Sequence, residues 1–192
     1  GLSLGEHGLF GKQNLYERGG MHVPLVIAGP GIPHGRTEAF AYLMDLFPTF
    51  AKLADAKLPE GVEGQDLLPV IRGEKPSVRP VAYLGYRDCM RSVSDGRWKL
   101  IRYPLVDRTQ LFDLTADPHE LQNLAGRPEQ AAKEKELTEL LAAEMRRYGD
   151  TYPLTVDAPA KAEWTPPTQQ QLDAEDAAAK ARRKKGKTPA KK

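Results

Sequence analysis

Residues 81–113 read VAYLGYRDCMRSVSDGRWKLIRYPLVDRTQLFD. Four short segments rich in β-branched and aromatic residues stand out: Val81–Leu84, Met90–Ser94, Trp98–Tyr103 and Gln110–Asp113. Turn signals separate them, and Asp95-Gly96 between the second and third is a hairpin signature, because that dipeptide tolerates positive φ. The spacing predicts a small antiparallel sheet. Downstream, Leu137, Leu140, Leu141, Met145 and Tyr148 recur at helical spacing among charges over Glu129–Tyr148. This pattern predicts an amphipathic helix with one buried stripe, which packs as core.

Upstream the texture differs. Residues 1–20 hold Gly1, Gly5, Gly8, Gly11, Gly19 and Gly20, too many for an element interior, so a shaped loop is expected. Val23–Ala28 is a short apolar run stopped by Gly29-Pro30-Gly31 and is expected to be a buried strand with Pro24 near its start. Asp45–Ala54 has apolar residues at helical spacing, with Asp45 as N-cap and Pro48 in the first turn. Residues 57–80 are punctuated by Pro and Gly and are expected to be mostly loop.

Charge divides the chain. The formal net charge is +2, yet residues 154–192 carry 9 Lys/Arg and 5 Asp/Glu, eight of the nine bases lying in the last 13 residues. The rest is mildly acidic. Like charges repel and stay solvated, so 154–192 is expected to be a disordered basic tail with a short helix over Gln169–Arg183. Such an arm suits anionic surfaces. Without interleaved aromatic residues or a folded recognition motif, nucleic acid is not the expected partner. No run approaches eighteen apolar residues, so no membrane-spanning helix is expected, and no signal peptide is visible. The single cysteine, Cys89, excludes an internal disulfide framework. A lone Cys beside a strand is expected to be structural, despite Arg87 and Arg91 nearby.

Few residues carry chemistry by spacing alone. His7, His22, His34 and His119 form no metal-binding pair, and no nucleophile elbow or phosphate loop is present. The densest polar cluster is Glu6-His7-Gly8-Leu9-Phe10-Gly11-Lys12. Its glycines allow close backbone approach, and a lysine at the end of such a loop suits an oxyanion.

Gly1–Gln13 resembles the downstream half of the sulfatase signature S-D-(H/N)-G-x-x-L-G-E-H-G-x-(W/F)-x-K. Leu15-Tyr16-Glu17 and Met21–Ile27 resemble the L-Y-E…R-V-P-L-I-I segment of that family. Asp45–Thr49 resembles V-D-(L/I)-x-P-T, and Gly64–Pro69 resembles G-x-(D/S)-L-L-P. Trp98–Ile101, Gln110–Leu114, Asp117–Glu120 and Asn123-Leu124 resemble its closing run. The matches are collinear over about residues 1–150. The resemblance implies an α/β fold: residues 1–80 as the C-terminal part of an alkaline-phosphatase-like sulfatase core, 81–153 as a small antiparallel sheet with a packed C-terminal helix, and 154–192 outside it.

The family hydrolyses sulfate esters with a formylglycine made from Cys or Ser in C-x-(P/A)-x-R and a bound Ca²⁺ or Mg²⁺. By resemblance, Lys12 matches the sulfate-binding lysine; His7, the second residue named for sulfate binding, lies near the site, chiefly as a loop-shaping partner. Glu6 is expected to be structural. His22 stands where the family has Arg and is expected to be structural too. The metal ligands would precede Gly1. Cys89 is followed by Met90-Arg91, so it is not the formylglycine precursor. The resemblance therefore implies a sulfatase fragment that lacks its nucleophile, with no catalytic or metal-binding residue of its own and a sulfated small molecule or glycan as substrate. It favours a periplasmic or extracellular enzyme. Two alternatives remain: a phosphonate or phosphate ester hydrolase on the same scaffold, and a non-catalytic remnant whose basic tail binds an acidic partner. Tyr86, Arg87 and His34 are further polar residues to locate relative to the pocket.

Overall fold

The computed structural model describes residues 1–12, 14–163, 165 and 167–185. It comprises two compact units, Gly1–Ala160 and Lys161–Lys192.

In the first unit, two minimal strands, β1 (Ser3–Leu4) and β2 (Phe10–Gly11), pair antiparallel with Ser3 opposite Gly11. The glycine-rich segment is therefore a hairpin whose tip, Glu6–Gly8, is a single 3₁₀ turn. After it, Met21 N–H bonds Tyr16 O and His22 N–H bonds Glu17 O, forming a wide turn over Glu17–Met21.

Val23–Ala28 forms no strand among the described residues. Strand propensity is realised only against a neighbour that completes the ladder. Without one, Val23, Leu25 and Val26 stay exposed, Val26 at 87%.

Helix α1 (Leu46–Leu53) follows a 3₁₀ turn at Leu43–Asp45. The expected cap is corrected here. Asp45 directs no side-chain hydrogen bond into α1. Its carboxylate accepts Tyr42 N–H at 2.6 Å and Gln65 N–H at 2.8 Å, and it pairs bidentately with Arg79 at 2.5 and 2.6 Å. Arg79 also lies over the Tyr42 ring. Thr49 Oγ1 donates to Asp45 O and accepts Leu67 N–H, so α1, the Gln65–Leu67 segment and Arg79 close on one buried polar knot. Helix α2 (Leu68–Ile71) adds one turn within the expected loop.

Strands β3 (Ala82–Tyr86), β4 (Met90–Ser94), β5 (Trp98–Tyr103) and β6 (Arg108–Asp113) form an antiparallel meander in the order β3-β4-β5-β6. The β4–β5 turn uses Gly96 at φ +96°, while Asp95 Oδ1 accepts Arg97 and Trp98 N–H. Strand alternation divides the side chains between two faces. Val93, Leu100 and Leu111 pack with Leu137, Leu141 and Met145 of helix α3 (Ala131–Arg147). Met90, Ile101 and Phe112 pack with Leu15 and Tyr16. The sheet is thus covered on both sides, and one cover is the segment that follows the glycine hairpin.

In the segment read as a disordered tail, residues as far as Ala160 belong to the first unit; Ala160 N–H bonds Leu105 O. In the second unit, helix α4 (Gln169–Lys185) forms from a Gln-, Ala- and Lys-rich sequence of good helix formers. The end of the basic run, 186–192, lies outside the described residues. Among the described residues no helix is long and apolar enough to cross a membrane.

Candidate anion-binding site

Lys12 follows β2 directly and is exposed. It makes no hydrogen bond or ion pair with any described residue, so its ammonium group is free to meet an anion. Its position is set by the hairpin before it and by buried residues after it. Asn14 donates to Ser3 Oγ at 2.9 Å, and its carbonyl oxygen accepts Tyr16 N–H. Leu15 and Tyr16 are anchored in the sheet's second core. Tyr16 OH meets Gln110 Oε1 at 3.0 Å, and Tyr103 OH donates to the same oxygen at 2.8 Å. Burial and neighbouring Tyr16 hold the Tyr103 phenol above its usual range, so it stays a neutral donor.

His7 lies at the hairpin tip with φ 54°. Its ring stacks on Tyr16 at 3.8 Å and 7°, so the sheet anchor also orients the imidazole. Glu6 Oε2 accepts Leu4 N–H at 2.6 Å, which holds its carboxyl below the usual range. The structure therefore puts Lys12 and His7 on one anchored hairpin.

The other residues named from sequence lie elsewhere. His22, His34, His119 and Arg87 are exposed, and Tyr86 is half-buried. Cys89 lies in the β3–β4 turn, half-buried, with its thiol toward Tyr86 O at 3.4 Å. Among the described residues no group of three or more His, Cys, Asp or Glu is placed to hold a metal ion. No chemical step through a metal or a formylglycine is therefore assigned to these residues.

Three buried or half-buried ionic groups were not legible as such. One is the Asp45–Arg79 pair. A second joins Arg91 Nε to Asp150 at 2.6 Å, with Tyr83 OH donating to the same carboxylate. Burial alone would raise the Asp150 carboxyl, but hydrogen bonds from Arg91, Tyr83 and Tyr152 N–H bring it down to about 2. The third is Lys99, 1% exposed, with Nζ 2.9 Å from Glu120 Oε1 and 3.1 Å from Glu17 Oε1. All three of its members sit in motifs quoted from the sequence, W-K, L-Y-E and D-P-H-E. The signal was visible as motif and silent as contact.

An antiparallel meander with a packed helix agrees with the C-terminal part that the resemblance to the sulfatases implies. The chain belongs to the sulfatases: residues 5–147 match the family model of N-sulphoglucosamine sulphohydrolase, C-terminal. It is 35% identical over 167 residues to N-acetylglucosamine-6-O-sulfatase of Bacteroides thetaiotaomicron, covering 80% of this chain and 30% of that protein. It is 38% identical over 144 residues to choline-sulfatase of Rhizobium meliloti, covering 72% of this chain and 28% of that one. A structure solved in complex with its substrate D-glucosamine-2-N,6-O-disulfate superposes with a TM-score of 0.72 and 31% identity, over 80% of this chain and 34% of the other. The chain thus spans under a third of the length of these two curated relatives.

Proposed function

We propose that the chain supplies the sulfate-holding hairpin of a sulfuric ester hydrolase acting on a sulfated carbohydrate or aryl sulfate. The observation that carries this is Lys12: an ammonium with no partner among the described residues, at the end of an anchored glycine hairpin and in the stretch whose sequence resembles the lysine motif of the sulfatases. In this role Lys12 neutralises charge on the sulfate oxygens. His7, fixed by its stack on Tyr16, shapes the hairpin and borders the anion. The nucleophile and the divalent cation are contributed by residues outside this sequence. The sulfated sugar bound in the superposed structure supports a sulfated glycan, and such a substrate agrees with an exported enzyme.

The test is a titration of the 192-residue chain with inorganic sulfate, followed by amide chemical shifts. Shifts confined to Gly5–Lys12 that vanish in Lys12→Ala are expected. Shifts that persist in Lys12→Ala, or that map to residues 169–185, would overturn the assignment and favour the basic tail as the anion binder. Phosphate that competes more strongly than sulfate would favour the phosphate ester reading. Turnover of an aryl sulfate by this chain with added Ca²⁺ would refute the external nucleophile.

A further inference from the structure

Lys99 is buried on the sheet face that residues 14–17 cover. Its strand neighbour on that face, Ile101, belongs to the hydrophobic cluster with Leu15, Tyr16 and Phe112, and Lys99 itself pairs in register with Phe112. A lysine in such a place needs compensating charge. It has two carboxylates, each from a different segment. Glu17 begins the wide turn that follows Tyr16, and Glu120 closes the Asp117–Glu120 turn after β6.

Glu120 is 2% exposed and adopts φ 56°, a left-handed conformation costly for a non-glycine residue. That backbone is held by Glu120 N–H bonding Asp117 O. It aims the carboxylate inward, so that Oε1 faces Lys99 and Oε2 accepts Glu17 N–H at 2.6 Å. The cluster therefore grips Glu17 by both its side chain and its backbone.

From Glu17 the grip reaches the hairpin by close packing. Gly19, at φ 71°, lies against Ser3; a Cβ there would stand 2.7 Å from Ser3 Oγ. The Gly1 backbone nitrogen donates to Gly20 O at 2.6 Å, and Asn14 bonds Ser3. The Glu17–Met21 turn thus backs β1, β1 pairs with β2, and Lys12 follows β2.

We propose that Lys99, with Glu17 and Glu120, is a positioning residue for the Lys12 hairpin. The cluster locks the Glu17–Met21 turn to the sheet and through it fixes where the Lys12 ammonium stands. The assignment of sulfate to Lys12 rests on the proposed function; the locking of the hairpin does not.

Hydrogen exchange and sulfate titration separate the two. Lys99→Met alone leaves the buried Glu120 carboxylate uncompensated beside that of half-buried Glu17 and is expected to damage the fold. The informative variant is therefore Lys99→Met with Glu120→Gln, which removes the two fully buried charges together and leaves only the half-buried Glu17 carboxylate, so a smaller loss of stability than in Lys99→Met alone is expected. In that variant, amides of residues 1–12 and 17–22 are expected to exchange at least tenfold faster, while β4–β6 amides keep their protection. The His7 ring protons should lose the upfield shift that stacking on Tyr16 gives them. Sulfate affinity should fall at least tenfold, and Lys99→Arg should retain most of it. Unchanged exchange in 1–12 would overturn the proposal. Equal loss of protection across β4–β6 would overturn it too, since the cluster would then serve the sheet as a whole. If the parent chain shows no sulfate response, the Lys12 assignment fails, and the positioning claim is still decided by the exchange and the His7 shift.

Discussion

At the residue scale, the buried charges carry the largest single energies. Asp45 and Arg79 are 0% and 2% exposed, and the carboxylate takes two backbone N–H bonds besides the guanidinium. Burial alone would raise the Asp45 carboxyl, but Arg79 and these N–H groups outweigh it and hold it below its usual range. Removing only the cation leaves an uncompensated buried charge, so Arg79→Met is expected to cost about 3–5 kcal/mol in urea unfolding. Asp150 gives a pH test. Its carboxyl lies at about 2 against an ordinary 3.8. A depressed carboxylate adds stability that is complete above the unfolded value and is lost as pH falls through the folded one. Stability should therefore decline between pH 4 and pH 2, and Asp150→Asn should flatten that part of the curve. An unaltered acid limb in Asp150→Asn would remove Asp150 from the account. None of these pairs was legible, because partners such as Asp45 and Arg79, or Arg91 and Asp150, are tens of residues apart and no local spacing joins them.

At the element scale, legibility followed the range of the determining interaction. The meander was readable because hairpins are local: alternation, Asp95-Gly96 and short loops lie within 33 residues. Helix α3 was readable from its own period, and Leu137, Leu141 and Met145 are the residues it buries. Leu141, fully buried between α3 and the sheet, makes the point quantitative. Leu141→Ala is expected to cost about 2–5 kcal/mol, whereas Glu139→Ala on the exposed face should change thermal unfolding little. Equal effects would mean that the stripe is not the packing face. Val23–Ala28 shows the opposite case. Its residues have strand character, yet a strand needs a partner, and no sequence window reports whether one is present. The sheet's second cover, Leu15 and Tyr16, escaped notice for the same reason. Nothing near Ile101 or Phe112 in sequence points to a segment some 85 to 97 residues upstream, although the motif singles out Lys12, beside that cover, as a candidate.

At the scale of the whole first unit, apolar exposure is unevenly placed. Val26 is 87% exposed, Leu43 85%, Phe47 55% and Phe50 53%, whereas the sheet of residues 82–113 is covered on both faces. Large apolar side chains left in water favour association, and an unpaired strand-like segment offers backbone N–H and C=O groups to a second chain. The purified chain is therefore expected to self-associate as concentration rises, seen as a growing weight-average mass in sedimentation velocity. Val26→Asp with Phe50→Asp should return it toward one mass near 21.3 kDa, because each change places a charge where association would have to desolvate it. The same pair of changes should leave the protection of β4–β6 amides intact, since neither residue touches that sheet's two cores. A parent chain that stays monomeric at every concentration would show that these side chains are tolerated in water as they stand. Association that survives both charges would move the contact to another surface, with Leu4 and Phe10 of the hairpin, 73% and 84% exposed, the next to be charged. That second outcome would bear on function as well, because self-association through the hairpin would occlude Lys12 and weaken the sulfate response as protein concentration rises.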